Sequence, residues 1–224
     1  MRTALVTGTS SGIGAAIAMR LLADGWRVTG LDRAAATIRH SCLEPITVDL
    51  ADRVSLLSAV GGLPPIDALV HAAGIMRGGK LGELDHDIGA GLWRIHVDAA
   101  VTLTDHFAPS MRSGARIVLI GSRAAQGVVG KSQYGAAKAA LSSLARTWAK
   151  ELVTRGITVN VVSPAATETA MLTDVGRTIM PPETPPMGRR IQPEEVAGLV
   201  AFLLSGEAAA ITGQTISICG GASL

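Results

Sequence analysis

Residues 3–14 read TALVTGTSSGIG, and this stretch gives the clearest indication of how the chain folds. Its first five residues form a short apolar run that is typical of a buried parallel strand. Three glycines follow, and after them an Ala- and Leu-rich stretch of helical period. Glycine lets the backbone turn sharply, and the free N–H groups of a helix N-terminus bind anions, so the stretch predicts a phosphate site. The residues predicted to contact the phosphates are Gly8, Ser10, Ser11, Gly12, Ile13 and Gly14.

Outward from this stretch, short β-branched runs alternate with helical stretches along the whole chain of 224 residues. This alternation predicts βαβ units, and therefore a parallel sheet with helices on both faces. The predicted fold class is α/β: one doubly wound Rossmann domain over residues 1–224, with a seven-stranded, mostly parallel sheet. The predicted strands are residues 3–7, 27–31, 46–48, 68–71, 116–120, 158–162 and 215–218, and the predicted helices are residues 12–24, 52–60, 87–107, 132–155 and 193–204.

Composition excludes several function classes. Lys and Arg number 20 against 18 Asp and Glu, and aromatic residues make up only 3%, so nucleic acid is not an expected partner. No apolar run reaches the roughly 18 residues that span a bilayer, so no membrane partner is expected. The N-terminus turns to glycine before a signal-peptide apolar region develops, which predicts a cytoplasmic protein. The five histidines show no metal-ligand spacing, and no metal site is predicted.

An acidic residue ends the second predicted strand. Asp32 lies twenty residues after Gly12, a distance at which a carboxylate can accept hydrogen bonds from the adenosine ribose of NAD. The same carboxylate would repel the 2′-phosphate of NADP, so the sequence favours NAD. Arg33 follows directly and could bind that phosphate, so NADP stays possible. Without the glycine turn, Asp32 and Arg33 would be read as an ordinary polar strand end.

The single tyrosine of the chain points to proton-transfer chemistry. Tyr134 lies four residues before Lys138 on a predicted helix, so both side chains share one face. A free tyrosine has a pKa of about 10, and a neighbouring ammonium favours its ionised form. Ser122 follows the fifth predicted strand, where its hydroxyl can hold a substrate oxygen. Each residue alone is ordinary, but the combination predicts an acid–base site.

Residues 165–190 form a long predicted loop that follows the carboxyl end of a strand, where α/β folds bind ligands. The loop contains three of the seven methionines, whose adaptable apolar side chains suit a substrate contact. We therefore predict a substrate lid over a small or medium substrate with apolar surface; a surface excursion without function is the alternative. The residues that set this loop apart are Met171, Met180, Pro181, Pro182, Pro185, Pro186 and Met187.

Together these motifs resemble the short-chain dehydrogenase/reductase family, and the resemblance covers essentially the whole chain. Residues 7–14 look like its Thr-Gly-x-x-x-Gly-x-Gly cofactor motif, and residues 71–74, His-Ala-Ala-Gly, look like a variant of its Asn-Asn-Ala-Gly motif. Tyr134 and Lys138 match its Tyr-x-x-x-Lys pair. Residues 160–165 resemble Asn-x-x-x-Pro-Gly, with alanine in place of the glycine.

The resemblance implies reversible hydride transfer between NAD(H) and a secondary alcohol or its ketone. Tyr134 would exchange the proton, Ser122 would hold the oxygen, and Lys138 would bind the nicotinamide ribose. Family members commonly assemble, so a homotetramer or homodimer is expected. The further cofactor contacts that the resemblance implies are Asp49, Leu50, Ala72, Ala73, Gly74, Pro164, Thr167 and Thr169.

His96 stands where the family has a catalytic asparagine. Histidine can also donate, accept and hold water, so it is a candidate fourth catalytic residue; a helix histidine without a role is the alternative. Two rival functions stay open. One is an NADP-dependent ketone or 3-oxoacyl reductase that uses Arg33. The other, motivated by His96, is a non-catalytic dinucleotide-binding sensor or scaffold.

Overall fold

The computed structural model describes residues 1–172 and 183–224, which form one seven-stranded sheet with every pairing parallel. The strand order is β3-β2-β1-β4-β5-β6-β7, so the direction of winding reverses between β1 and β4. Ligands bind at such a switch point in open α/β sheets. The predicted fold class is confirmed. The strands are β1 (Thr3–Thr7), β2 (Arg27–Asp32), β3 (Leu43–Thr47), β4 (Ala68–His71), β5 (Arg116–Ile120), β6 (Thr158–Pro164) and β7 (Thr215–Ile218).

Helices cover both faces of the sheet because successive strand residues point to opposite sides. In β1, Val6 belongs to a hydrophobic cluster that includes residues of the first and last helices. Leu5 belongs to a second cluster, which includes residues of the helices Arg53–Val60, Ala99–Phe107 and Ser132–Leu152. No helix within residues 1–172 and 183–224 is long and apolar enough to cross a membrane. The helices are α1 (Gly12–Ala23), α2 (Arg53–Val60), α3 (His86–Trp93), α4 (Ala99–Phe107), α5 (Ser132–Leu152) and α6 (Pro193–Leu203).

Several predicted helices and strands differ from the structure by one to three residues at an end, and two differ in more than that. The third strand, predicted at residues 46–48, runs from Leu43 to Thr47 at the edge of the sheet. The start of this strand was not predicted because Glu44 and Pro45 are untypical of a central strand. An edge strand tolerates both an exposed charge and a proline. The helix predicted over residues 87–107 is divided by a π turn at Arg94–Asp98, which separates α3 from α4.

The described flanks of the predicted lid are paired with each other. Thr167 forms a parallel bridge with Ile191, and Arg190 forms a 3.1 Å ion pair with Glu168. Met187 donates its backbone N–H to the carbonyl of Gly220. Met180, Pro181 and Pro182 lie outside the described residues.

The turn after β1 depends on glycine at two positions. Gly8 has a φ of 78°, a left-handed conformation that side chains disfavour. At Gly14, a Cβ atom would collide with the carbonyl oxygen of Gly8. The helix α1 can therefore start this close to β1 only if residue 14 has no side chain.

We expect Gly14→Ala to lower the free energy of unfolding by about 1 to 3 kcal/mol, because the new methyl group meets rigid backbone. The matched control is Gly62→Ala, since nothing lies within 4 Å of a Cβ atom built there. Chemical denaturation without ligand measures both variants. Equal stabilities for the two would contradict this account of the turn.

Candidate active site

The carboxyl edge of the sheet contains a cavity of about 620 Å³. The ends of β1, β2, β4, β5 and β6 all contribute to it. Every residue predicted from the sequence to bind cofactor or to take part in the chemistry lines this one cavity. These residues are Gly8, Ser10, Ser11, Gly12, Ile13, Gly14, Asp32, Arg33, Asp49, Leu50, Ala72, Ala73, Gly74, His96, Ser122, Tyr134, Lys138, Pro164, Thr167 and Thr169.

The N-terminus of α1 is suited to an anion. Ser11 is its N-cap residue but makes no side-chain capping bond, and the first turn contains no acidic residue. The first N–H groups of the helix are therefore available as donors at the positive end of its dipole. The pyrophosphate of a dinucleotide has the charge and the acceptors that such a site binds.

Asp32 is held by the same turn. One carboxylate oxygen accepts from the backbone N–H and the hydroxyl of Ser10, at 2.9 and 2.7 Å, and the other accepts from Ala34 N–H at 3.0 Å. Partial burial raises the pKa of Asp32, but the hydrogen bonds from Ala34 and Ser10 lower it, and the net pKa lies below the ordinary value. The Ser10 hydroxyl, predicted as a phosphate donor, thus donates to Asp32, whereas the exposed Ser11 makes no such bond.

Tyr134 and Lys138 lie one turn apart on α5, as the spacing predicted. The Lys138 Nζ atom is 5.9 Å from the centre of the Tyr134 ring and donates to the carbonyl oxygen of Ile120 at 2.7 Å. Burial lowers the pKa of Lys138 to about 7. Nearby acceptors favour the ammonium form, and the Ile120 carbonyl supplies one.

Ser122 lies two residues after the end of β5. Its hydroxyl oxygen accepts from the N–H of Ala124 at 3.1 Å and caps a 3₁₀ helix at Arg123–Gln126. This bond uses a lone pair and leaves the O–H proton available to an acceptor in the cavity. Ser122, Tyr134 and Lys138 can together hold a substrate oxygen and exchange a proton with it.

The π turn brings His96 to the cavity, where it is only 1% exposed. Its Nε2 atom donates to the carbonyl oxygen of Ile75 at 2.8 Å, and its ring meets the Tyr134 ring edge-on at 5.4 Å. A Cβ atom on Gly74 would collide with this ring. The Nδ1 atom is buried and has no hydrogen-bond partner among the described residues. It is therefore an acceptor beside the predicted catalytic tyrosine.

His71, which the sequence analysis did not single out as a site residue, lies behind the cavity. Its Nε2 atom is 3.1 Å from the carbonyl oxygen of Ile95 in the π turn, and its Nδ1 atom is 3.1 Å from the Thr7 hydroxyl. A carbonyl only accepts, so Nε2 carries the proton and Nδ1 accepts from Thr7. The only signal in the sequence was a histidine where the resembled motif has asparagine.

The surroundings of His71 require a neutral ring. The oxygen of Thr7 already accepts from the N–H groups of Ala72 and Ala73, at 3.0 and 2.9 Å, so its proton must point at the histidine. Burial and the charge of Lys138 lower the pKa of His71 to about 3. A proton on Nδ1 would place two donors face to face.

No sequence motif marks several other residues of the cavity lining, and these were not predicted. Among them are Met76, Arg123, Val128 and Lys131. Among the described residues, no group of three or more His, Cys, Asp or Glu could hold a metal ion. The predicted lid contributes Met171, Leu172, Glu183, Pro185 and Pro186 to the same lining.

Fold and cavity together define a dinucleotide-dependent oxidoreductase. The family model described as enoyl-(acyl carrier protein) reductase matches residues 8–223. With this match and the relatives below, the chain belongs to the short-chain dehydrogenase/reductase family, NAD(P)-dependent oxidoreductases that act on CH–OH and keto groups.

Three curated relatives match this chain along nearly its full length. The cyclic-di-GMP-binding biofilm dispersal mediator protein of Escherichia coli is 34% identical, over 98% of this chain and 96% of its own. The 2,3-dihydro-2,3-dihydroxybenzoate dehydrogenase of Escherichia coli is 33% identical over the same shares. The 3-oxoacyl-[acyl-carrier-protein] reductase of Salmonella typhimurium is 34% identical, again over 98% and 96%.

Solved structures agree in fold. A short chain dehydrogenase/reductase family protein superposes with a TM-score of 0.90 at 36% identity, covering 99% of this chain and 97% of its own. BdcA in complex with NADPH superposes with a TM-score of 0.87 at 34% identity, covering 98% and 93%. The family resemblance that the sequence showed is therefore confirmed.

Buried His71 predicts acid sensitivity. The unfolded chain takes up a proton on this ring below about pH 6.5, whereas the folded chain does so only near pH 3, so stability should fall as the pH drops between these values. The loss should reach up to about 4 kcal/mol. Denaturant unfolding from pH 7 to pH 3.5 measures it.

The comparison variant is His71→Asn, which keeps a donor and an acceptor but does not titrate in this range. We expect it to start less stable and to lose less stability on acidification than the wild type. The exposed His40 provides the control substitution, His40→Asn. Parallel pH curves for the wild type and His71→Asn would refute the assignment.

Proposed function

We propose that the protein catalyses reversible hydride transfer between NAD(H) and a secondary alcohol or its ketone, with Tyr134 as the acid–base. One observation supports this above all. Ser122, Tyr134 and Lys138 line the same cavity as the glycine turn and Asp32. A binding protein would not need the three polar groups on the side of the cavity away from that turn.

The roles follow from the contacts of each side chain. Bound dinucleotide would supply or accept the hydride at its nicotinamide ring, held by the α1 N-terminus, Asp32 and Lys138. Ser122 donates its hydroxyl proton to the substrate oxygen and orients it. Tyr134 gives a proton to that oxygen in reduction and takes it back in oxidation. The Lys138 ammonium stabilises the ionised form of Tyr134.

His96 is proposed as a fourth residue of this site. Its bond to Ile75 fixes the ring, and its unpartnered Nδ1 can accept from a water molecule near Tyr134. The segment at about residues 165–190 is proposed as the substrate lid, because its described parts, among them Met171 and Pro185, line the cavity. Assembly as a homotetramer or homodimer is supported by exposed Trp93 and Val101, at 45% and 38%.

The choice between NAD and NADP depends on Asp32 and Arg33. Asp32 is charged and held in place by Ser10 and Ala34, and its carboxylate can accept from a ribose hydroxyl but would repel a 2′-phosphate. This favours NAD. The neighbouring Arg33 and the NADPH complex of BdcA favour the alternative, an NADP-dependent ketone or 3-oxoacyl reductase. The name of the Salmonella reductase supports the same alternative.

We expect the wild type to bind NADH more tightly than NADPH, and Asp32→Asn to narrow or reverse this preference, because removing the charge removes the repulsion of the 2′-phosphate. The dissociation constants of both reduced cofactors, measured by fluorescence titration, test it. Arg33→Ala is the companion variant and should weaken NADPH selectively. Tighter NADPH binding by the wild type, lost in Arg33→Ala, would establish the NADP alternative instead.

The acid–base assignment predicts that Tyr134→Phe lowers turnover by about 10²- to 10⁴-fold while NADH binding persists, because only the hydroxyl is removed. NADH formation at 340 nm with NAD and a panel of secondary alcohols and diols measures turnover, and titration measures binding. Turnover in Tyr134→Phe at the wild-type rate would exclude Tyr134 as the acid–base.

A sensor is the second candidate function, and one relative favours it. The Escherichia coli protein named as cyclic-di-GMP-binding shares 34% of its residues with this chain. A sensor would bind NADH or cyclic-di-GMP tightly but turn over no member of the panel. In that case, Tyr134→Phe would leave every measured property unchanged.

A further inference from the structure

Arg123 is a cation at the reacting end of the cavity. It follows Ser122 directly, begins the 3₁₀ helix at Arg123–Gln126, is half-buried and lines the cavity. Its side chain makes no hydrogen bond or ion pair with any residue that the structure describes. Arg189 and Arg190, by contrast, form ion pairs with Glu195 and Glu168.

A half-buried guanidinium without a partner is a site for an anion. Its five N–H donors lie in one plane and match two oxygens of a carboxylate or phosphate. Such charge-assisted pairs are stronger than neutral hydrogen bonds. The fork of Arg123 is thus available to a ligand that enters beside Ser122.

The cofactor does not account for this cation. The cofactor phosphates are expected at the turn after β1, and Asp32, the residue expected to bind the cofactor ribose, lies at the end of β2. In the sheet order, β4 lies between β1 and β5, so the end of β5 is about 10 Å from that of β1, at about 4.8 Å for each strand. Arg123 therefore lies on the side of Ser122 and Tyr134, where the substrate must lie.

We propose that the substrate carries a carboxylate in addition to its hydroxyl or keto group, and that Arg123 binds that carboxylate. This inference rests on the proposed function, because it concerns the substrate of the same site. A carboxylate matches the single charge of Arg123, whereas a phosphate would bring close to two. Met76, Val128 and Leu172 also line the cavity and supply apolar contact for the rest of the molecule.

The test compares oxo acids with their methyl esters. The series consists of 2-, 3- and 4-oxo acids of about four to eight carbons, each paired with its ester, assayed with NADH at 340 nm. The wild type should prefer the acids, with kcat/KM about 10- to 100-fold above the esters. Arg123→Met should remove most of this preference, chiefly by raising KM for the acids.

Two further variants test whether the preference for acids depends on the planar guanidinium of Arg123 or only on net charge. Arg123→Lys keeps the charge but not the planar fork, so it should retain an intermediate preference. Arg112→Met removes an exposed arginine before β5, at the opposite edge of the sheet, and should behave as the wild type. An equal loss in Arg112→Met would show an effect of net charge and would overturn the proposal.

The outcomes separate this inference from the proposed function. Equal use of acids and esters, unchanged in Arg123→Met, would overturn the carboxylate site while the oxidoreductase stands. Absence of turnover with both the acids and the esters would count against the proposed function. Calorimetric measurement of oxo-acid binding would then test the carboxylate site separately. The carboxylate site is supported if oxo acids bind the NADH complex of the wild type about tenfold more tightly than they bind the NADH complex of Arg123→Met. Equal binding to the two complexes would overturn it.

Discussion

The hydroxyl of Thr7 is the contact on which the site depends. It accepts from Ala72 and Ala73 and donates to His71, so one side chain ties the end of β1 to the loop after β4. These two strands lie where the winding of the sheet reverses. Gly8 follows at once, and a Cβ atom there would meet Ala73. These contacts therefore tie the turn after β1 directly to the loop after β4.

Charge imposes the second constraint. Lys138, His71 and His96 are all buried near one another, and each positive charge would repel the others in a medium of low dielectric. Burial, followed by the charge of Lys138, lowers the pKa of His96 well below its usual value. These surroundings favour a single cation in the cluster, and the proposed chemistry needs that charge on Lys138, whose ammonium donates to the Ile120 carbonyl. Both imidazoles must act as neutral donors and acceptors.

The sequence was informative wherever the physics is local. Residues 3–14 predicted strand, turn and helix, and the spacing of Tyr134 and Lys138 placed them on one face of a helix. Contacts between distant residues were out of reach: nothing in the chain showed that Ser10 would hold Asp32. The π turn was missed because residues 94–98 continue the apolar period of the helices around them. Its extra residue has no local signal, since tertiary bonds to Ile95 and from His96 stabilise it.

Those bonds also link the two histidines, His71 and His96, that depart from the family pattern. His71 reaches from the end of β4 to Ile95 in the π turn, and His96 reaches back from the π turn to Ile75, in the loop that follows β4. Each imidazole thus fastens the segment that carries the other. An asparagine at either place has a shorter reach, so one replacement would alter the gap that the other spans. The histidine that motivated a sensor is explained by this reciprocal bracing, which keeps Tyr134 and the cofactor loop in register. The departure therefore gives no reason to assign a loss of chemistry.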